Sequence, residues 1–114
     1  MMPDATDKTS VGINHAVLSA VLLQKSVLRY TPAGVAVMTL NLEHNSQVQQ
    51  ANSLRVVQFS IESTALDSIA LTSNNLNIGD IYTFEGFWAP AHYRTQRLTF
   101  HILALADSFN TIDK

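Results

Sequence analysis

Five of the seven basic residues, Lys25, Arg29, Arg55, Arg94 and Arg97, fall in three windows that contain no Asp or Glu: Gln24–Val35, Asn45–Ile61 and Gly86–Ala106. Flat rings lie beside them, Tyr30 next to Arg29, and Phe87, Trp88, His92 and Tyr93 just ahead of Arg94. Cations can track a phosphate backbone, and rings can stack on unpaired bases, so this mixture suits a flexible nucleic-acid strand. The acids sit elsewhere, among them Asp4, Asp7, Glu62, Asp67, Asp80 and Glu85. The formal net charge is −2, so distribution matters more than the sum. If the three windows converge in space, one face of a mildly acidic chain is locally basic.

Other chemistries find little support. The four histidines, His15, His44, His92 and His101, show no H-x-x-x-H ligand spacing. No G-x-S-x-G and no P-loop is present, and no cofactor is implied. Cysteine is absent, which excludes disulfides, thiolate zinc sites and a cysteine nucleophile. A reducing cytoplasm fits that absence. Glu43-His44 is the one adjacent acid–imidazole pair, but neighbours along a strand point to opposite faces. The chain reads as a binding protein and not as an enzyme.

The elements that must position these residues are strands. With 114 residues the chain reads as one domain, its barrel spanning 13–107 between a disordered tail, 1–12, and a short tail, 108–114. The polar start lacks the basic and apolar regions of a secretory signal, and Ala16–Leu23 is too short to span a bilayer. Ile13–Gln24 alternates Ala16, Leu18, Ala20 and Leu22 against Val17, Ser19, Val21 and Leu23. Both sets are largely apolar, which predicts a strand covered on both sides, with a helix as the competing assignment. Tyr30-Thr31-Pro32-Ala33-Gly34 is a turn signal. Val35–His44 predicts a second strand with Met38, Leu40 and Leu42 inward. Asn45–Asn52 is polar and reads as a loop, and Leu54–Ile61 as a third strand. Leu66, Ile69 and Ala70 have helical spacing within Ser63 to about Leu76, where Ser63 or Thr64 is a candidate cap. Ile81–Trp88 and Arg97–Leu105 predict the last two strands, joined by a loop over Ala89–Gln96. Five strands with a short helix between the third and fourth is the order of an all-β OB-fold barrel.

Several segments resemble the bacterial single-stranded-DNA-binding protein family. Asn14-His15-Ala16-Val17-Leu18 resembles its opening strand, and Arg29-Tyr30-Thr31-Pro32-Ala33-Gly34 the turn that follows. Arg55-Val56-Val57-Gln58-Phe59 resembles its third strand, and Gly79-Asp80 with Phe84-Glu85-Gly86 the approach to its fourth. Leu42-Glu43-His44 and Gly86-Phe87 are similar to the primosomal replication proteins within that family. The resemblance spans about residues 13 to 107. Family members of the ordinary kind carry a long Gly-, Pro- and Gln-rich linker and an acidic tip, whereas this sequence ends shortly after Leu105, which points to the primosomal group. The resemblance then implies a cytoplasmic homodimer that binds single-stranded DNA and helps load the replication-restart helicase, PriA. A protein-interaction barrel with little DNA binding and the barrel of an ordinary tetrameric family member are the alternatives. Ala20 departs from the family, which often has Gly there. Asn45–Asn52 holds no basic or aromatic residue where the family commonly contacts DNA, which predicts a weaker or smaller footprint.

On this reading Arg94, Arg97 and His92 bracket one DNA-contacting arm of the barrel, and Lys25, Arg29 and Tyr30 lie in the loop that forms its partner arm. Solvated loop charges, and packing of Tyr30 under the turn, are the competing readings. The resemblance assigns Arg55 to the backbone and Phe59 to base stacking, against a core role for Phe59. Tyr82 and Phe84 read as core, and Phe87 alternates away from them toward the binding surface. Trp88 falls on the core side at a strand end, where it either packs or stacks. With about five phosphate contacts, binding should fall with salt at a log–log slope of about −3.5.

Overall fold

Residues 12–106 are described by a computed structural model. Seven elements follow in order: β1 (Ala16–Lys25), β2 (Arg29–Tyr30), β3 (Ala36–Gln50), β4 (Ser53–Leu66), α1 (Ser68–Ser73), β5 (Ile81–Pro90) and β6 (Leu98–Leu105). The sheet order is β1-β5-β6-β4-β3, and β1 also pairs with β3, so five strands close into a barrel. All these pairings are antiparallel except β4 with β6. The two-residue β2 adds to the edge of β3. This is the OB-fold barrel expected from the strand order.

The core follows the period-2 alternation of the strands. Leu22, Met38, Leu40, Leu42, Phe84 and Phe100 are fully buried, with Ala20, Ala65 and Ile102 beside them. Tyr82 packs against this cluster. The turn after Tyr30 forms as expected: Gly34 has φ 90°, and its N–H donates to the Thr31 carbonyl at 2.8 Å. At Gly86 the constraint is spatial. β5 and β6 approach so closely at a register shift that a Cβ there would collide with the His101 carbonyl.

Three expectations need correction. First, β1 is not covered on both sides within the chain. Ala20 and Leu22 are buried, but Val17 is 57% exposed and Leu23 also reaches solvent. Second, Asn45–Asn52 is not a loop. β3 and β4 pair without interruption from Val37↔Leu66 to Gln50↔Ser53. Only Ala51 and Asn52 turn, both with positive φ, the combination that a two-residue hairpin turn needs. Third, the helix is shorter and later than the spacing predicts. The β3 ladder claims Ser63–Leu66, and β6 also pairs with Ser63–Ala65. Ser63 is a buried strand residue whose hydroxyl donates to the Leu40 carbonyl at 2.9 Å, not a cap. The chain turns at Asp67, φ 60°, and helix begins at Ser68. Among the described residues no helix is long and apolar enough to cross a membrane. The two predicted tails lie almost wholly outside the described residues.

Candidate nucleic-acid interface

The β1–β3 ladder ends at Val21↔Glu43. Past that point β3 and β4 continue as a two-stranded arm, paired only with each other. Residues of one parity share a face of this ribbon. One face carries the cross-strand pairs His44↔Phe59, Ser46↔Val57 and Val48↔Arg55. It continues the parity of the barrel interior and contains no acid. The other face carries Glu43, paired with Ser60, and Glu62, paired with Asn41. The arm therefore has one mildly basic side bearing a ring and one acidic side.

Arg55 is exposed and donates to Gln50 Oε1 at 3.0 Å. Phe59 is 37% exposed, and its ring centroid lies 5.1 Å from that of His44 at a tilt of 35°. Because β4 and β6 run parallel in the register Ser63↔Phe100, the segment leading into β6 projects from the same end as the arm. That segment is the β5–β6 loop, with His92, Tyr93, Arg94 and Arg97 all exposed. His92 Nδ1 accepts from the Arg94 N–H at 3.3 Å. Arg94 Nε donates to the Tyr93 hydroxyl at 2.9 Å, and its guanidinium carbon is 5.2 Å from the Tyr93 ring centroid. Tyr93 is 87% exposed and adds to this loop a ring that its place beside Arg94 in the sequence does not by itself assign to the site. The topology thus brings Arg55, Phe59, His92, Arg94 and Arg97 to one end of the barrel.

The remaining candidates sit elsewhere. Arg29 and Tyr30 form β2, opposite Val37 and Ala36, and not an open loop. From Val37 to His44 is about 23 Å along the strand, so the first basic window does not converge with the other two. The Arg29 guanidinium reaches the Ser26 and Thr39 hydroxyls at 3.3 and 3.5 Å. Lys25 ends β1, and its ammonium donates to the carbonyls of Asn74 and Leu76, each at 2.7 Å. Those carbonyls follow α1, whose C-terminus a cation stabilises, so this charge is held in a structural contact. Phe87 faces the outer side of the sheet, stacked on His101 at 5.0 Å with the planes 7° apart. It borders a recess of about 170 Å³ with Leu66, Ile69 and Leu103. Trp88 lies on the core side, tilted against Phe100 at 5.1 Å, which favours packing over stacking. Asn14 brackets its backbone: the Asn14 amide donates to the Trp88 carbonyl at 2.6 Å and accepts from its N–H at 3.0 Å.

The arginines have only neutral partners in these contacts, which leaves their charge available to a polyanion. Among the described residues no arginine or lysine is paired with a carboxylate; the one carboxylate–base contact is the hydrogen bond between His15 Nε2 and Glu85 Oε2, at 2.7 Å. No group of three acid or histidine side chains there is arranged to hold a metal.

The chain belongs to the single-strand binding proteins: residues 14–104 match the family described as "Another single-strand binding protein family". Within that family its similarity is to the replication restart protein PriB. The PriB of Bordetella pertussis is 33% identical over 90 residues, covering 79% of this chain and 84% of that protein. The solved PriB structure from Ralstonia solanacearum superposes with a TM-score of 0.76 at 35% identity, covering 82% of this chain and 96% of that one. The single-stranded DNA binding protein of Thermus aquaticus shares the fold, with a TM-score of 0.67 at 21% identity, covering 82% of this chain and 49% of that one.

Proposed function

We propose that this chain is a non-enzymatic single-stranded-DNA-binding protein of replication restart. Arg55, Arg94 and Arg97 hold the phosphate backbone, and Phe59, with His92 in the β5–β6 loop, contacts the unpaired bases. Binding is independent of sequence, because stacking on a ring and contact with the phosphate backbone accept any base. Arg29 and Tyr30 extend the path along the far end of β3. Lys25, Phe87 and Trp88 contribute through the contacts that anchor α1, β6 and the core.

The observation that carries this reading is the placement of an acid-free ribbon face and a cationic loop at the same end of an OB-fold barrel whose relatives are single-strand binding proteins. Val17 and Val21 of β1 and Ile81 of β5 share one outer face with Ser19, Thr83 and Glu85, Val17 57% and Ile81 62% exposed, and these exposed apolar side chains support pairing of two copies into a homodimer. The names of the PriB relatives support a role in replication restart; on this reading the helicase PriA is the partner and the cytoplasm the compartment.

The test is a fluorescence-anisotropy titration of labelled oligo-dT, with duplex DNA of the same length as control. Saturable binding that favours the single strand is expected. Equal binding of both, or none at low salt, would remove the DNA reading and leave a protein-interaction barrel.

A further inference from the structure

We propose that His44 is a positioning residue for single-strand binding, holding the Phe59 ring in place for an incoming base. The proposal rests on the reading of Phe59 as a stacking ring.

The backbone ladder from β1 to β3 stops at Val21↔Glu43. The next residue, His44, restores the connection through its side chain, with Nδ1 2.7 Å from the Ser19 carbonyl oxygen. A carbonyl only accepts, so Nδ1 is the donor. Nε2 lies 2.8 Å from Ser46 Oγ, a second hydrogen bond. Both nitrogens are engaged, so turning the imidazole over breaks two hydrogen bonds. The ring is thereby fixed where the arm leaves the barrel, bonded to β1 on one edge and to β3 on the other.

Phe59 is the cross-strand partner of His44. It lies on the fixed imidazole at 5.1 Å while 37% of it stays exposed. Inward along the same parity come Ile61, then the buried Ser63 and Ala65; outward come Val57 and Arg55. Phe59 is thus the sole ring of this β4 face, at the junction of barrel and arm. A ring already held by a rigid neighbour loses less freedom when a base stacks on it. The ligand class is an unpaired nucleobase of any identity, with its phosphate toward Arg55. Leu42-Glu43-His44, which resembles the primosomal group in sequence, thereby gains a physical role in its histidine.

The test compares His44→Ala, His44→Asn and Phe59→Ala, with the His44→Ala/Phe59→Ala double variant. Binding is measured to oligo-dT and to a base-free deoxyribose-phosphate oligomer of the same length. Asn keeps a donor near the Nδ1 position but lacks the ring, and serves as the milder variant should Ala fold poorly. His44→Ala is expected to weaken oligo-dT binding by about three- to fivefold, part of the loss of a stacked base. Binding of the base-free oligomer stays within about twofold, and the double variant binds oligo-dT no more weakly than Phe59→Ala. His44→Asn falls between the wild type and His44→Ala. Equal losses on both oligomers, or effects of His44 and Phe59 that add, would overturn the proposal while Phe59→Ala alone still discriminates the oligomers. If Phe59→Ala does not discriminate them, the stacking role of Phe59 falls and takes the proposal with it.

Discussion

Replacing Arg94 and Arg97 together with Ala should flatten the salt dependence of single-strand binding by about half. Of the five cations on described residues, Lys25 is held by two carbonyls, which leaves Arg29, Arg55, Arg94 and Arg97. Four phosphate contacts at roughly 0.7 per contact give a log–log slope of about −2.8, shallower than the −3.5 or so that five cations would give. Across a fourfold rise in salt, from about 50 to 200 mM, the wild type should lose about 50-fold in affinity. The double variant retains two contacts, a slope of about −1.4 and a loss of about sevenfold over the same range. Both substitutions lie in an exposed loop without ion-pair partners, so the melting temperature should hold. Anisotropy titrations of oligo-dT at four or so salt concentrations measure both slopes. An unchanged slope in a folded variant would refute the assignment of the β5–β6 loop to the phosphate backbone.

Other outcomes follow from the same geometry. Phe59→Ala should weaken oligo-dT binding by about fivefold with little change in salt slope, because a ring with one side already on His44 offers limited stacking, about 1 kcal/mol; titration at two salt concentrations checks this. Gly86→Ala should destabilise the fold by about 1–3 kcal/mol, since the new methyl meets the His101 backbone; urea denaturation reads the loss. Lys25→Met should cost about 1 kcal/mol in the same assay through the carbonyls it abandons, while oligo-dT affinity stays within about twofold. Val17→Glu should shift a dimer to monomer in analytical ultracentrifugation by replacing an exposed apolar side chain with a second carboxylate opposite Glu85; a persisting dimer would place the subunit contact elsewhere.

The barrel was legible where a core enforces alternation. Met38, Leu40 and Leu42 mark one side of β3, Phe100 and Ile102 one side of β6, and all five are buried. The β3–β4 arm was hidden because it projects beyond the core. With no interior to fill, Asn45–Gln50 shows no hydrophobic period, and glutamines in a paired ribbon look like a loop. The helix was displaced because the spacing of Leu66, Ile69 and Ala70 competes with strand pairing on both sides of Ser63–Ala65, and the pairing wins. Site residues could be chosen by type but not assembled. Lys25 meets carbonyls some fifty positions away, at Asn74 and Leu76. The union of Arg55 with Arg94 and Arg97 depends on the parallel β4–β6 register, and the His44–Phe59 contact on a hairpin register. None of these is a local property of the chain.

On the proposed function, single-stranded DNA lies across the arm and the β5–β6 loop. The most direct measurement is a nuclear magnetic resonance titration of the isotopically labelled protein with oligo-dT, following the backbone amides. The largest shifts are expected at His44–Gln50, Arg55–Phe59 and His92–Arg97, with small ones across α1. Shifts concentrated instead on α1, Leu66 and Leu103 would contradict this placement and put the strand on the opposite side of the barrel.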